Sequence, residues 1–329
     1  MKHDHRIVAL AAASLLTAAC GGSGEGSSSG GAGGSGGSGG SPSAGDPPTT
    51  LITAPGGTPI DKPAKNTYFF CPRPGLVPVI TASNTPWLDG TTIDISKIAS
   101  VSGTMTWQSE FSMSTTATER VLVGNGLPNH PTGQFPVQEG TPAYEYYSAF
   151  PLMGGGTAAD IGIAAYDINL TLPKNPTPND KPSCIHWIFI GLVTQTGAAW
   201  HAEIAPDAQF KVHDPISALP LDPCFGHPFE LQYHYHAYSW ACFPTQGEKA
   251  QHSPLFGYAI DGFGIFGPRG ENGELVTNDD LDECHGHTHE IDWDGEKKVM
   301  YHYHVNNEFP YTLGCYRGTP IELPEHLQH

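Results

Sequence analysis

The chain writes Tyr-His-Tyr-His twice, at residues 233–236 and 301–304, and each copy is followed by a cysteine, Cys242 and Cys315. Each copy is also preceded by Asp-x-Cys-x-Gly-His. The first unit has Asp222, Cys224, Gly226 and His227; the second has Asp282, Cys284, Gly286 and His287. Alternate side chains of a β-strand share a face. His234 and His236 therefore point the same way, as do His302 and His304, with the tyrosines opposite. Two imidazoles at i and i+2 can chelate one ion, and His227 and His287 each offer a third ligand. Three histidines on one ion is the donor set of open zinc sites, and imidazole also suits copper, iron and nickel. The second unit adds His285 and His289. Glu290, Asp282 and Asp261 are nearby carboxylates that could ligate or orient a ring.

The bland reading is that such histidines pack and hydrogen-bond, as a single strand histidine usually does. Against it, 14 of the 17 histidines lie from His186 onward and eight fall inside the two units. The expectation is a zinc or copper site, with no organic cofactor indicated. One binuclear site and two separate sites both fit the spacing. Duplicated strands lying side by side would gather all six rings.

Other chemistries find less support. Besides Cys20 there are six cysteines, and an even number in an exported chain points to disulfides. Likeness of the two units pairs Cys224 with Cys242 and Cys284 with Cys315, which leaves Cys71 for Cys184. Paired cysteines offer no thiol nucleophile, and no Gly-x-Ser-x-Gly occurs in residues 66–329; the matches at Ser28, Ser35 and Ser38 all lie in the Gly/Ser linker. The spaced glycines from Asp261 to Gly270 do not sit between a strand and a helix, so they read as turns, not as a phosphate loop.

The elements that must position these residues are short. Runs rich in Val, Ile, Tyr, Phe and Trp are bounded by Gly, Pro, Asn or Asp, and no long stretch has a 3.6-residue apolar period. With 40 Gly and 30 Pro in the chain, this is the pattern of a mainly β protein with many turns. The expectation is a single sandwich-like or barrel-like domain over residues 66–329, with little helix and stabilised by disulfides. Its internal repeat spans 222–242 and 282–315. One short helix is expected within 277–284, started by Thr277 or Asn278.

The N-terminal residues read as addressing, not fold. Residues 1–19 have a basic start, a short apolar run and small residues, the pattern of a signal peptide. Cys20 follows "LTAA" as in a bacterial lipobox, which implies cleavage before Cys20 and a lipid on its sulfur. Residues 20–65 form a Gly/Ser/Pro-rich flexible linker. Gly21 after Cys20 does not look like an inner-membrane retention signal, so the expected place is the outer membrane or cell surface. The membrane is expected as a partner only through that lipid. A net charge of −18 argues against nucleic acid.

Beyond the tetrapeptide, "GNGLPNHPTGQFP" from Gly124, "SPLFGYAIDGFGIFGPRG" from Ser253, "LDECHGHTHE" from Leu281 and "YHYHVNNEFPYTLGCYRG" from Tyr301 resemble the YHYH protein family. The resemblance runs from about Val121 to Gly318. It implies a bacterial, exported protein and assigns no chemistry. Three functions follow from the residues: metal binding at the envelope, a metal-dependent hydrolase or oxidoreductase with an open His3 site, and a structural or adhesion domain without metal.

Overall fold

The computed structural model describes residues 60, 64–71, 77–78, 88–89, 92–94, 101–149, 161–186, 188–206, 211–243 and 250–328. The expected signal, Cys20 and nearly all of the linker lie outside the described residues. The elements in chain order are β1 (Val77–Pro78), β2 (Leu88–Asp89), β3 (Thr92–Ile93), β4 (Phe111–Thr115), β5 (Glu119–Gly124), α1 (Pro142–Ala149), β6 (Ile168–Pro173), β7 (Phe189–Val193) and β8 (Ala199–His201). They continue with β9 (Ala205–Pro206), β10 (Lys211–His213), α2 (Pro215–Ala218), β11 (Gly226–Phe229), β12 (Gln232–Tyr235), β13 (Leu255–Ala259), β14 (Gly264–Phe266), β15 (Gly286–Trp293) and β16 (Glu296–His304). Among the described residues no helix is long and apolar enough to cross a membrane.

The fold is mainly β, as the composition implies. Its centre is an eight-stranded sheet in the order β11-β12-β8-β7-β13-β14-β16-β15. Among the described residues the sheet is open, so the barrel-like alternative is corrected: β11 and β15 are both edges and do not pair. A three-stranded antiparallel sheet, β4-β5-β6, contributes Leu122, Ile168, Leu170 and Leu172 to the same core as Ile190, Leu192 and Tyr258. That face alternates buried and exposed along β6, the period-2 pattern of a half-buried strand. Arg120 on β5 is fully buried between the layers. Its guanidinium lies 4.2 Å from the centre of the Tyr258 ring and forms a two-pronged ion pair with Asp294 at 2.9 and 3.0 Å.

The large sheet carries an internal pseudo-twofold axis. At its centre β7 and β13 run antiparallel, with pairs Val193–Gly257, Leu192–Tyr258 and Gly191–Ala259. A shift of 66 residues carries Leu192 onto Tyr258, Gly191 onto Gly257 and Val193 onto Ala259, and so exchanges the outer pairs. The hairpins β7–β8 and β13–β14 are therefore copies, and each is extended in parallel: β12 joins β8 and β16 joins β14. The outer hairpins then close each half, β11 on β12 and β15 on β16. The duplication is longer than the Cys-to-Cys units suggest, because it includes both central hairpins.

The expected short helix is a single 3-10 turn, Asn278–Asp280, capped through Thr277 and Asp280. The helices α1 and α2 carry no motif that marked them in the sequence. Asp214 caps α2 by accepting from the Ile216 N–H at 2.9 Å, with Pro215 in the first turn.

The described residues hold three disulfides, Cys71–Cys184, Cys224–Cys242 and Cys284–Cys315. They close spans of 113, 18 and 31 residues. In the chain-entropy account the shortest stabilises by about 3 kcal/mol and the longest by nearly 5 kcal/mol. Non-reducing peptide mapping is expected to recover these three pairs. Reduction is expected to lower the denaturation midpoint sharply, and a mapped crossed pair would contradict the register of the repeat.

Candidate metal centres

The two Asp-x-Cys-x-Gly-His units form the same turn. Asp222 Oδ1 accepts from the N–H groups of Cys224 and Gly226 at 2.9 and 3.1 Å, and Asp282 Oδ1 accepts from Cys284 and Gly286 at the same distances. The residue between cysteine and glycine sits in the left-handed region, Phe225 at φ 58° and His285 at φ 73°. The glycine is required by close approach. A Cβ on Gly226 would fall 2.2 Å from the Tyr233 hydroxyl, and one on Gly286 would fall 2.3 Å from that of Tyr301. Each hydroxyl crosses the glycine to donate to the turn aspartate, Tyr233 to Asp222 at 2.8 Å and Tyr301 to Asp282 at 2.9 Å. The motif thus locks the tyrosine face and leaves the histidine face free for other use.

The histidine faces form two clusters. In the first, which we call centre A, His227 and His234 sit directly opposite in β11 and β12, and His236 follows. Their exposures are 2%, 1% and 3%. His227 Nε2 and His234 Nε2 each lie 3.1 Å from His236 Nε2. The opposite ring nitrogens are all occupied. His234 Nδ1 faces the Gln232 carbonyl at 3.0 Å and His236 Nδ1 the Ala202 carbonyl at 3.1 Å. His227 Nδ1 faces the Tyr147 hydroxyl at 3.2 Å, and that hydroxyl donates onward to the Pro220 carbonyl. A carbonyl only accepts, and a hydroxyl already donating must accept. All three rings therefore carry their proton on Nδ1, and three Nε2 lone pairs converge.

Centre B is built on the second unit, with His287 opposite His302 and His304 beyond. It gains two rings that centre A lacks, His289 from β15 and His252 from the segment before β13. His289 Nε2 lies 3.0 Å from His287 Nε2, and His252 Nε2 lies 3.2 Å from His304 Nε2. Again Nδ1 is committed to the main chain: His252 to Ser253, His289 to Glu290, His302 to Met300 and His304 to Gly267. His302 Nε2 is buried with no hydrogen-bond partner among the described residues. All five ligand nitrogens lie within 4.8 Å of one another. A cleft of about 600 Å³ opens beside His252, with Glu271, Glu290 and Lys297 on its wall.

The structure gathers the six expected rings as three and three. The alternative in which duplicated strands lie side by side is corrected, since β8, β7, β13 and β14 stand between β12 and β16. At the usual strand spacing that is about 24 Å. His285 is not among the convergent rings. Its left-handed backbone turns it to the Thr312 carbonyl and to Asn278, which use both ring nitrogens. Asp261 and Asp282 serve the tyrosine face, where Asp261 accepts from Tyr303 at 2.6 Å. The carboxylate beside a ring is Glu271, 3.4 Å from His289 Nδ1, while Glu290 reaches the cluster through its backbone. His252 and Glu271 have no motif. A shift of 66 aligns His252 with His186, but that match does not mark a ligand, since His186 is not among the rings of centre A. A third grouping, His130 with Cys224 and Cys242, offers no thiolate because the cysteines are bonded to each other.

Burial keeps the rings neutral. Desolvation holds His236 down to about 3, His302 to about 2 and His252 and His287 to about 4, with neighbouring rings adding to the drop at His302, His252 and His287. His227, His234 and His304 are also held well below 6.5, first by burial and then by their neighbours. Neutral imidazole is the form that ligates. The sign for stability follows. The unfolded rings take up protons near their ordinary value and the folded ones do not, so the metal-free fold loses stability as pH falls below about 6.5. The loss continues to the folded values near 4 and below. Asp222, Asp261 and Asp282, whose carboxyls burial raises, oppose it within the carboxylate range. Denaturation of chelated protein between pH 7 and pH 4 is expected to show this steep acid limb. A flat profile would mean that the rings are not buried neutral.

Residues 170–274 match the family model described as YHYH protein. The match covers the first Tyr-His-Tyr-His unit, the central hairpins and His252. No curated protein and no solved structure matches the chain.

Proposed function

We propose that this chain, which carries a YHYH-family domain, is an envelope protein that binds two transition-metal ions, zinc or copper, one in each histidine centre. The observation that carries the reading is the tautomer pattern of centre A. Every Nδ1 is spoken for, and bare Nε2 lone pairs face each other at 3.1 Å. Buried lone pairs so placed repel unless a cation lies between them. Ligands at 2.0–2.1 Å from a tetrahedral ion stand about 3.3 Å apart, close to the spacing of these nitrogens. The cleft beside His252 supports a second reading, in which an ion at centre B activates water or oxygen as an enzyme would. The lipid on Cys20 and the tether after it would hold the domain at the cell surface.

Elemental analysis of the untagged chain, made in an oxidising compartment, tests this. Two equivalents of zinc or copper are expected, and none when His234, His287, His302 and His304 are all replaced by alanine, which leaves two rings at each centre. No metal as isolated and no uptake on titration would leave the structural or adhesion reading.

A further inference from the structure

The two centres descend from one repeat, yet the residues around them diverge in a consistent way. Shifting β8 onto β14 places His201 at the position of Phe266, and shifting β11 onto β15 places Phe229 at the position of His289. Centre A has three buried rings, with the His201 ring stacked on His234 at 3.6 Å and the Tyr147 ring stacked on His227. Centre B has five imidazoles, of which His252, His287 and His289 are only partly buried. Five ligand atoms within 4.8 Å suit one ion, because opposite ligands on a single ion stand about 4.2 Å apart at the usual bond length. Two ions about 3.5–4 Å apart would spread their outer ligands well beyond that.

We infer that the centres select different ions. Centre A takes an ion of the zinc type on three imidazoles, with a water as the fourth ligand, in a site whose rings are only 1–3% exposed and so closed to a larger anion. Centre B takes a six-coordinate ion of the copper, nickel or iron class on its five imidazoles, with the sixth position toward the cleft beside His252. This rests on the two-ion reading above. The physical reason is the donor count. Zinc prefers four ligands and gains little from a fifth, whereas tetragonal and octahedral ions are satisfied by five imidazoles and one exchangeable ligand.

Cobalt(II) tests the inference, because a tetrahedral ion lacks a centre of symmetry and absorbs strongly in the visible, while a six-coordinate ion absorbs weakly. The full-length chain would be stripped with chelator, loaded to one and then two equivalents, and treated with azide. One intense, azide-insensitive spectrum and one weak, azide-sensitive spectrum are expected. The His252→Ala/His289→Ala variant changes two partly exposed rings and leaves three, so it is expected to keep both ions. Its weak band is expected to rise several-fold. Two identical spectra, or bands unchanged in the variant, would overturn the inference while leaving the two-ion reading intact. No retained cobalt or zinc after dialysis would remove both.

Discussion

Replacing His236 with leucine is expected to take the chain from two bound ions to one. His236 Nε2 is the atom that both other nitrogens of centre A approach, so its loss leaves two ligands that no longer share a neighbour. Removing a ligand costs more than the roughly 10–100-fold in affinity that outer-shell changes cost. The stability effect has an unusual sign. In the loaded protein the variant loses the linkage term, about 4 kcal/mol at an ion concentration 1,000 times the dissociation constant. In the chelated protein it removes a buried repulsion and a polar atom, and an apolar replacement of similar volume is then neutral or mildly stabilising. Urea denaturation of both proteins, with and without chelator, reads both halves. Equal destabilisation in the two conditions would mean that His236 is a packing residue.

The second large effect is expected at the turn aspartates. Asp222 is fully buried and accepts four hydrogen bonds, from Cys224 and Gly226 on Oδ1 and from Gly133 and Tyr233 on Oδ2. Asparagine keeps one acceptor oxygen and turns an amide donor toward two donors. Hydrogen bonds to a charged acceptor are worth about 1.5–3 kcal/mol each, and orphaned donors cost about as much. Asp222→Asn is therefore expected to cost about 3 kcal/mol or more, a large share of the 5–15 kcal/mol typical of a domain. It is also expected to empty centre A first, because the turn aims His227. Asp282 takes its bonds from Cys284, Gly286 and Tyr301 all on Oδ1, which asparagine could replace, so Asp282→Ala is the variant expected to do the same to centre B. Metal content and thermal midpoint measured together check both. A variant that lost stability yet kept both ions at full affinity would show that the turn does not position the histidine.

The parts whose signals are local were legible in the residues. Strand periodicity puts both histidines of each Tyr-His-Tyr-His on one face, whatever the sheet around them. The repeated Asp-x-Cys-x-Gly-His determined the turn, because Gly226 and Gly286 answer to a tyrosine hydroxyl a few residues along the same hairpin. Equivalence of the units determined the cysteine pairing, since Cys224–Cys242 and Cys284–Cys315 each close within their own unit. How the units sit depends on the sheet order. Nothing local in Leu192 or Tyr258 says that they lie on a pseudo-twofold axis, so the separation of the centres by four strands was not legible. Nor was the recruitment of His252, which reaches His304 across 52 residues. The roles of Asp261 and Asp282 depended on which face of the sheet they meet, and there a tyrosine hydroxyl, not a histidine, lies within reach. Sheet order and long-range approach are set by burying two apolar faces at once, and that is a property of the whole chain.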